Sequence, residues 1–73
     1  MSDERYPIGR GHVLHLHTND AGTWVWLNTD EQDYDGLCVG RGTGRTDAIT
    51  ITLMAVDRLR NKLIELLARE GNK

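Results

Sequence analysis

The chain has 73 residues, 9 basic and 11 acidic, a formal net charge of −2 and one cysteine, Cys38. A chain this short forms one small domain that buries only about 60% of its unfolded surface, and a single thiol excludes an intrachain disulfide. The charge balance gives no general pull toward nucleic acid or acidic lipid, and no apolar run suits a signal peptide or a membrane span; a free thiol fits a reducing compartment, so a cytoplasmic protein is expected.

Residues 1–11 are polar, carry the only proline, Pro7, and read as a mobile N-terminal arm; residues 12–70 read as a single domain. Residues 12–17, His-Val-Leu-His-Leu-His, form a first strand, and Thr18-Asn19-Asp20-Ala21-Gly22 is dense in turn formers. Residues 23–28, Thr-Trp-Val-Trp-Leu-Asn, form a second strand and close a hairpin. Residues 29–35 carry Asp30, Glu31, Asp33 and Asp35 and read as a solvated acidic loop. Residues 36–41 form a third strand that runs into the glycine-rich Gly40-Arg41-Gly42-Thr43-Gly44-Arg45-Thr46.

A helix follows, from Asp47 to Glu70. Thr46 is placed to cap it, because its hydroxyl can accept from a free backbone N–H one turn on. Asp47 complements the positive end of the helix dipole. Ile49, Leu53, Val56, Leu59, Leu63 and Leu67 recur at three- and four-residue steps along one face, and Gly71 ends the run. Ile49-Thr50-Ile51-Thr52-Leu53 also alternates with a period of two, so a fourth strand there stays open beside the preferred helix. The expected fold is α+β: a three-stranded antiparallel meander with one long C-terminal helix packed on one face, β-β-β-α.

Strand alternation places Leu14, Leu16, Val25, Leu27, Leu37 and Val39 beneath the helix and Val13, His15, His17, Trp24, Trp26 and Cys38 on the opposite face. Two neighbouring tryptophans on an open face mark a binding surface; the swapped assignment, with the indoles in the core, stays open. His15 and His17 point the same way roughly 7 Å apart, but no further ligand completes a metal geometry, so no metal and no cofactor are expected. Cys38 with His15 or His17 is the only nucleophile–base pair, with no third orienting group, and no enzymatic activity is expected.

The glycine run has the look of a phosphate cradle, yet it departs from the Walker A pattern in spacing and lacks its lysine. The plainer reading is a connection from strand to helix, with Gly42 or Gly44 at positive φ.

The stretch Gly22-Thr23-Trp24-Val25-Trp26, followed by Cys38 through Ala48, resembles a HicB-type antitoxin domain. In that family a Gly-aromatic-Val strand precedes a strand, a short Gly/Thr connection and a helix opening with Thr-x-x-Glu-Ala, where this chain has Gly44-Arg45-Thr46-Asp47-Ala48. The resemblance covers about residues 12–67 and implies a β-β-β-α fold, self-association and binding of a small toxin RNase. Two departures stand out: the acidic loop replaces a proline-containing segment, and no DNA-binding extension follows the helix. The run Val39-Gly40-Arg41-Gly42-Thr43-Gly44 is also similar to the last strand and helix of a double-stranded-RNA-binding domain. This chain lacks that module's first helix and has Asp47 where it has lysines.

The expected function is a non-enzymatic protein-interaction module of antitoxin or inhibitor type, binding a partner protein. Its candidate binding residues are Trp24, Trp26, His15, His17, Arg41 and Arg45. The rival expectation is a nucleic-acid-binding module that stacks bases on the Trp/His face and holds phosphates with loop arginines. A homodimer is expected because a helix from Asp47 to Glu70 is roughly 36 Å long, whereas six-residue strands span only about 20 Å. The overhanging turns hold Leu63, Ile64, Leu66 and Leu67, the candidate dimer interface. The alternative is that the arm 1–11 folds back over them.

Overall fold

The computed structural model describes residues 2–29 and 36–71. Four strands, β1 (Ser2–Gly9), β2 (His12–Asn19), β3 (Gly22–Thr29) and β4 (Leu37–Gly42), precede one helix, α1 (Arg45–Gly71). The strands form a single antiparallel sheet in sequence order. The expected α+β meander with a C-terminal helix is present, with four strands in place of three. Residues 30–35 of the expected acidic loop lie outside the described residues.

The additional strand is the segment read as a mobile arm. Ser2 to Pro7 pair residue by residue with Thr18 to Val13. The connection Gly9-Arg10-Gly11 turns tightly, with φ of 98°, 55° and 77°. Glycine adopts that left-handed region at little cost, whereas Arg10 does so against the Cβ–carbonyl clash. An edge strand tolerates Pro7, because not all of its N–H groups are needed in a ladder. β1 lies at the far edge of the sheet from β4, and α1 packs on β4 and β3. The former arm therefore does not cover the helix end.

The core lies between the sheet and the first half of α1. Leu16, Val25 and Ala48 are buried together, with Leu14, Val39 and Ile49 packed against them. This is the face assignment that strand alternation gives for Leu14, Leu16, Val25 and Val39. Leu37 departs from it, because it is 65% exposed. The β3–β4 register shifts between Val25 and Trp26, so that Val25 pairs with Gly40 and Trp26 with Cys38. Val39 is the extra residue, and the bulge brings both Val39 and Gly40 under the helix.

The glycines of β4 set how closely α1 approaches. A Cβ on Gly40 would lie 2.0 Å from the Thr52 hydroxyl, and one on Gly42 would lie 2.6 Å from the Ala48 backbone nitrogen. Neither Gly42 nor Gly44 has positive φ; the positive-φ glycines are Gly9, Gly11 and Gly22. The expectation of a left-handed glycine at 42 or 44 is thus corrected: Gly42, like Gly40, serves close packing between strand and helix, and a Cβ on Gly44 would meet nothing within 4 Å. The helix also begins earlier than expected. The Gly44 carbonyl accepts from the Ala48 N–H at 3.0 Å, which makes Gly44 the N-cap. Thr46 sits inside the first turn, and its carbonyl accepts from the Thr50 hydroxyl. Residues 49–53 are helical, so the strand alternative for that stretch is removed.

Candidate interaction surfaces

α1 is 27 residues long, about 40 Å at 1.5 Å per residue. It runs back along β4, against Gly42 and Gly40 with Ala48 and Thr52, then past Val39 and Cys38 with Ala55, Val56 and Leu59. Beyond that point none of the described strands lies beneath it. Every residue from Val56 to Gly71 is exposed, including Leu59, Leu63, Ile64, Leu66 and Leu67, with Leu67 at 72%. The molecule measures 50 × 26 × 16 Å with a radius of gyration of 14.6 Å; a compact chain of this length would have about 11 Å.

Two shallow grooves mark this surface. One, of about 280 Å³, runs along the overhang between Val56, Leu59, Leu63, Ile64 and Leu67, with Arg60 as its one charged lining residue. The other, of about 240 Å³, lies where α1 leaves β4, between Cys38, Val39, Ala55, Val56 and Leu59. Val56 and Leu59 line both, so the apolar strip is continuous from the sheet edge to the helix end. The candidate interface residues Leu63, Ile64, Leu66 and Leu67 all lie on the exposed overhang, and the structure adds Val56, Leu59 and the β4 groove. The sequence signal for Val56 and Leu59 was their place in the same helical stripe.

The opposite sheet face gathers the other candidate residues, in a different state from the open surface expected. His15 is buried at 1% exposure. Its Nε2 lies 2.9 Å from Asp3 Oδ1, and its Nδ1 lies 3.4 Å from Asn28 Nδ2. His17 Nδ1 lies 2.8 Å from the same Asp3 oxygen, and its Nε2 lies 3.3 Å from Asn19 Nδ2. Each ring places one nitrogen on the Asp3 carboxylate and the other beside an asparagine side chain. The two histidines thus fasten β1 to β2 through one carboxylate. Asp3 and Asn28 were missed in the sequence, because Asp3 lies in the segment read as an arm and Asn28 at a strand end.

Trp24 and Trp26 are half-buried. The Arg41 guanidinium sits 5.2 Å from the Trp24 ring centroid, in range for a cation–π contact. His17 flanks the same indole at 6.1 Å. The Trp26 Nε1 is buried and has no hydrogen-bond partner among the described residues. Arg45 is separate from this group, on the helix side of the sheet. It donates from Nε and Nη2 to the two carboxylate oxygens of Glu4 at 2.9 and 3.0 Å. Hydrogen bonds from Arg45 and Tyr6 hold the Glu4 carboxyl below its ordinary range, and the Glu4 carboxylate raises the Arg45 guanidinium in turn. Arg45 therefore links β1 to the start of α1 through a surface ion pair.

Among the described residues no three His, Cys, Asp or Glu side chains converge on a metal position. The Cys38 thiol donates to the Gly40 carbonyl at 3.5 Å. No helix of the described residues is long and apolar enough to cross a membrane. Comparison with protein-family models, with curated proteins and with solved structures gave no match to this chain.

Proposed function

We propose that this chain is a small, non-enzymatic protein-interaction module that works as a homodimer and binds a partner protein in the manner of an antitoxin or inhibitor. The observation that carries the self-association is surface area. The chain exposes 5566 Å², whereas a folded monomer of 8.3 kDa exposes about 4,600 Å². The excess of about 1,000 Å² is comparable with the roughly 800 Å² that each partner contributes to a standard protein interface. The exposed apolar residues of the overhang, Val56, Leu59, Leu63, Ile64, Leu66 and Leu67, offer surface for such an interface.

Binding in place of catalysis is supported by the state of the reactive groups. The two histidines of the tryptophan face are engaged with Asp3, and the Cys38 thiol donates to a backbone carbonyl. The antitoxin character rests on the resemblance of residues 12–67 to HicB-type domains and on the self-associating habit of that family. Nucleic-acid binding is less favoured, because Arg45 is paired with Glu4 and Arg41 covers Trp24, the indole that base stacking would need.

Sedimentation equilibrium across the micromolar range tests the dimer. The expected mass is about 17 kDa, two copies of 8.3 kDa. Leu66→Glu, which places a charge on the overhang without touching the core, should bring it to that of one copy. A single-copy mass for the unmodified chain at every concentration refutes the proposal. Pull-down from the native host, with the dimeric chain as bait and mass spectrometry as readout, then asks whether one small protein is retained stoichiometrically.

A further inference from the structure

β1 is attached to the molecule without a core of its own. Every residue of the strand except Glu4 is exposed. Its attachments among the described residues are the ladder from Ser2–Thr18 to Pro7–Val13, Asp3 against His15 and His17, and Glu4 against Arg45. A segment that buries so little apolar surface opens more readily than the rest of a fold. The turn that closes it on β2 is strained as well. Gly9 pairs with His12, which leaves Arg10 and Gly11 as the two central residues, both at positive φ. Turns of that kind favour Asn-Gly, Asp-Gly or Gly-Gly, and arginine at the first central position carries the Cβ–carbonyl clash that those pairs avoid. The ladder also shifts register between Pro7 and Gly9, just before the turn.

None of these attachments depends on which copy supplies the strand. Resting on the homodimer proposed above, we propose that two copies exchange β1. Each copy's Ser2–Gly9 lies on the β2 edge of the other, with Asp3 on the other copy's His15 and His17 and Glu4 on its Arg45. Opening the turn makes β1 and β2 of each chain one continuous strand. Two such strands pair antiparallel about a two-fold axis, a low-cost route to a dimer. The β3 strands of the two copies then fall on opposite sides of the shared ribbon, so the exchange needs no space where β3 connects to β4. The contacts of β1 are the same in the closed and the exchanged chain. What differs is the strain at Arg10, which extension relieves in both copies, and any surface that meets only in the pair. Tyr6, Leu14, Leu27 and Leu37 form one cross-strand row, so the turn lies at the end of the sheet from which α1 projects, and exchange brings the second copy to that end.

A disulfide across the β1–β2 ladder tests the exchange. Residues directly opposite in an antiparallel pair have Cα atoms roughly 4.5–5.5 Å apart, within disulfide reach. Ser2→Cys and Thr18→Cys, which are such partners, are combined in a Cys38→Ser background. The chain is oxidised at a concentration where it sediments as two copies, then read under denaturing, non-reducing conditions. Exchange predicts a covalent pair of about 17 kDa, twice 8.3 kDa, and a 2–18 cross-link that joins a heavy and a light peptide when isotope-labelled and unlabelled chains are assembled together. Either single-cysteine variant should give no 2–18 cross-link. Three glycines inserted between Arg10 and Gly11 give β1 a relaxed path back to its own β2, so the covalent pair should shift to the mass of one copy. Dimers whose 2–18 bond lies within one chain overturn the inference and leave the homodimer standing. So do dimers with no 2–18 bond of either kind, and so does a covalent pair undiminished by the longer turn. A monomer at every concentration removes both.

Discussion

Replacing Gly40 by alanine probes the contact that positions α1. Gly40 is buried in β4 opposite Val25. An added Cβ would lie 2.0 Å from Thr52 Oγ1 and 3.1 Å from both the Ala48 carbonyl oxygen and the Thr52 Cβ. The Thr52 hydroxyl is itself held by donation to that carbonyl at 2.8 Å. Thr52 has few alternative rotamers on a helix, and the two 3.1 Å contacts remain even if its hydroxyl swings away, so α1 must move outward by a few tenths of an ångström. Overpacking of this kind costs about 1–3 kcal/mol. Alanine's reduced freedom in the unfolded chain returns about 0.4–1 kcal/mol. The net loss of about 1–2 kcal/mol corresponds to a fall in Tm of roughly 4–16 °C for a domain of this size.

The assay is thermal unfolding by circular dichroism at one fixed protein concentration, because the proposed self-association would make Tm concentration-dependent. A double-mutant cycle with Thr52→Ala sharpens it. Thr52→Ala loses a hydrogen bond but gains helix propensity, so alone it changes stability by about 1 kcal/mol or less. Combined with Gly40→Ala it removes the 2.0 Å contact, and the double variant should recover at least about 0.5 kcal/mol relative to additivity. An unchanged or higher Tm for Gly40→Ala, or strict additivity in the cycle, refutes the close approach of α1 and β4.

Arg10→Gly should raise Tm by a few degrees, because a left-handed arginine costs about 1–2 kcal/mol and glycine's extra unfolded-state entropy offsets only about half of that; a lower Tm would show that Arg10 is not strained at φ 55°. The Glu4 carboxyl should titrate below its ordinary 4.5 when followed by NMR. Since a depressed carboxyl contributes stability above its unfolded pKa and loses it as pH falls through the folded value, acid should weaken the attachment of β1 to α1. Arg45→Gln should return the titration toward 4.5, and an unmoved midpoint would remove Arg45 as its cause.

Most of the sheet was legible because its apolar residues alternate. Leu14 and Leu16, Val25, and Val39 fix which side of three strands the helix covers, and Gly22 ends the hairpin turn. β1 was not legible for the same reason in reverse. Ser2-Asp3-Glu4-Arg5-Tyr6-Pro7 buries no apolar side chain, and what holds it is a backbone ladder together with Asp3 on two histidines and Glu4 on Arg45. Such polar partners, 12 to 41 positions apart in the chain, leave no periodic trace. The burial of His15 follows from the same omission, since Asp3 arrives with the missing strand. Gly40 and Gly42 carried a readable signal that the turn-forming habit of glycine obscured: spaced two apart on a strand, they open one face to close approach.

The residues exposed along α1 bear on why so small a chain carries so long a helix. The buried apolar cluster is only Leu16, Val25 and Ala48, with Leu14, Val39 and Ile49 around it, and a domain below about 70–80 residues rarely gains more than 3–5 kcal/mol from its own core. A helix end that lived in water would be laced with charge pairs on all sides. Here Lys62, Glu65 and Arg69 form an ion-pair cluster and Asp57, Arg58, Arg60 and Glu70 add charge, yet Val56, Leu59, Leu63, Ile64, Leu66 and Leu67 are exposed on the same stretch. Half-burying a Leu or Ile is worth on the order of 1 kcal/mol. Those six side chains on each of two copies therefore represent about 10 kcal/mol before the cost of association, which is itself about 4–15 kcal/mol. The two terms are close, so the homodimer proposed above is expected to be reversible, with an assembly that depends on concentration.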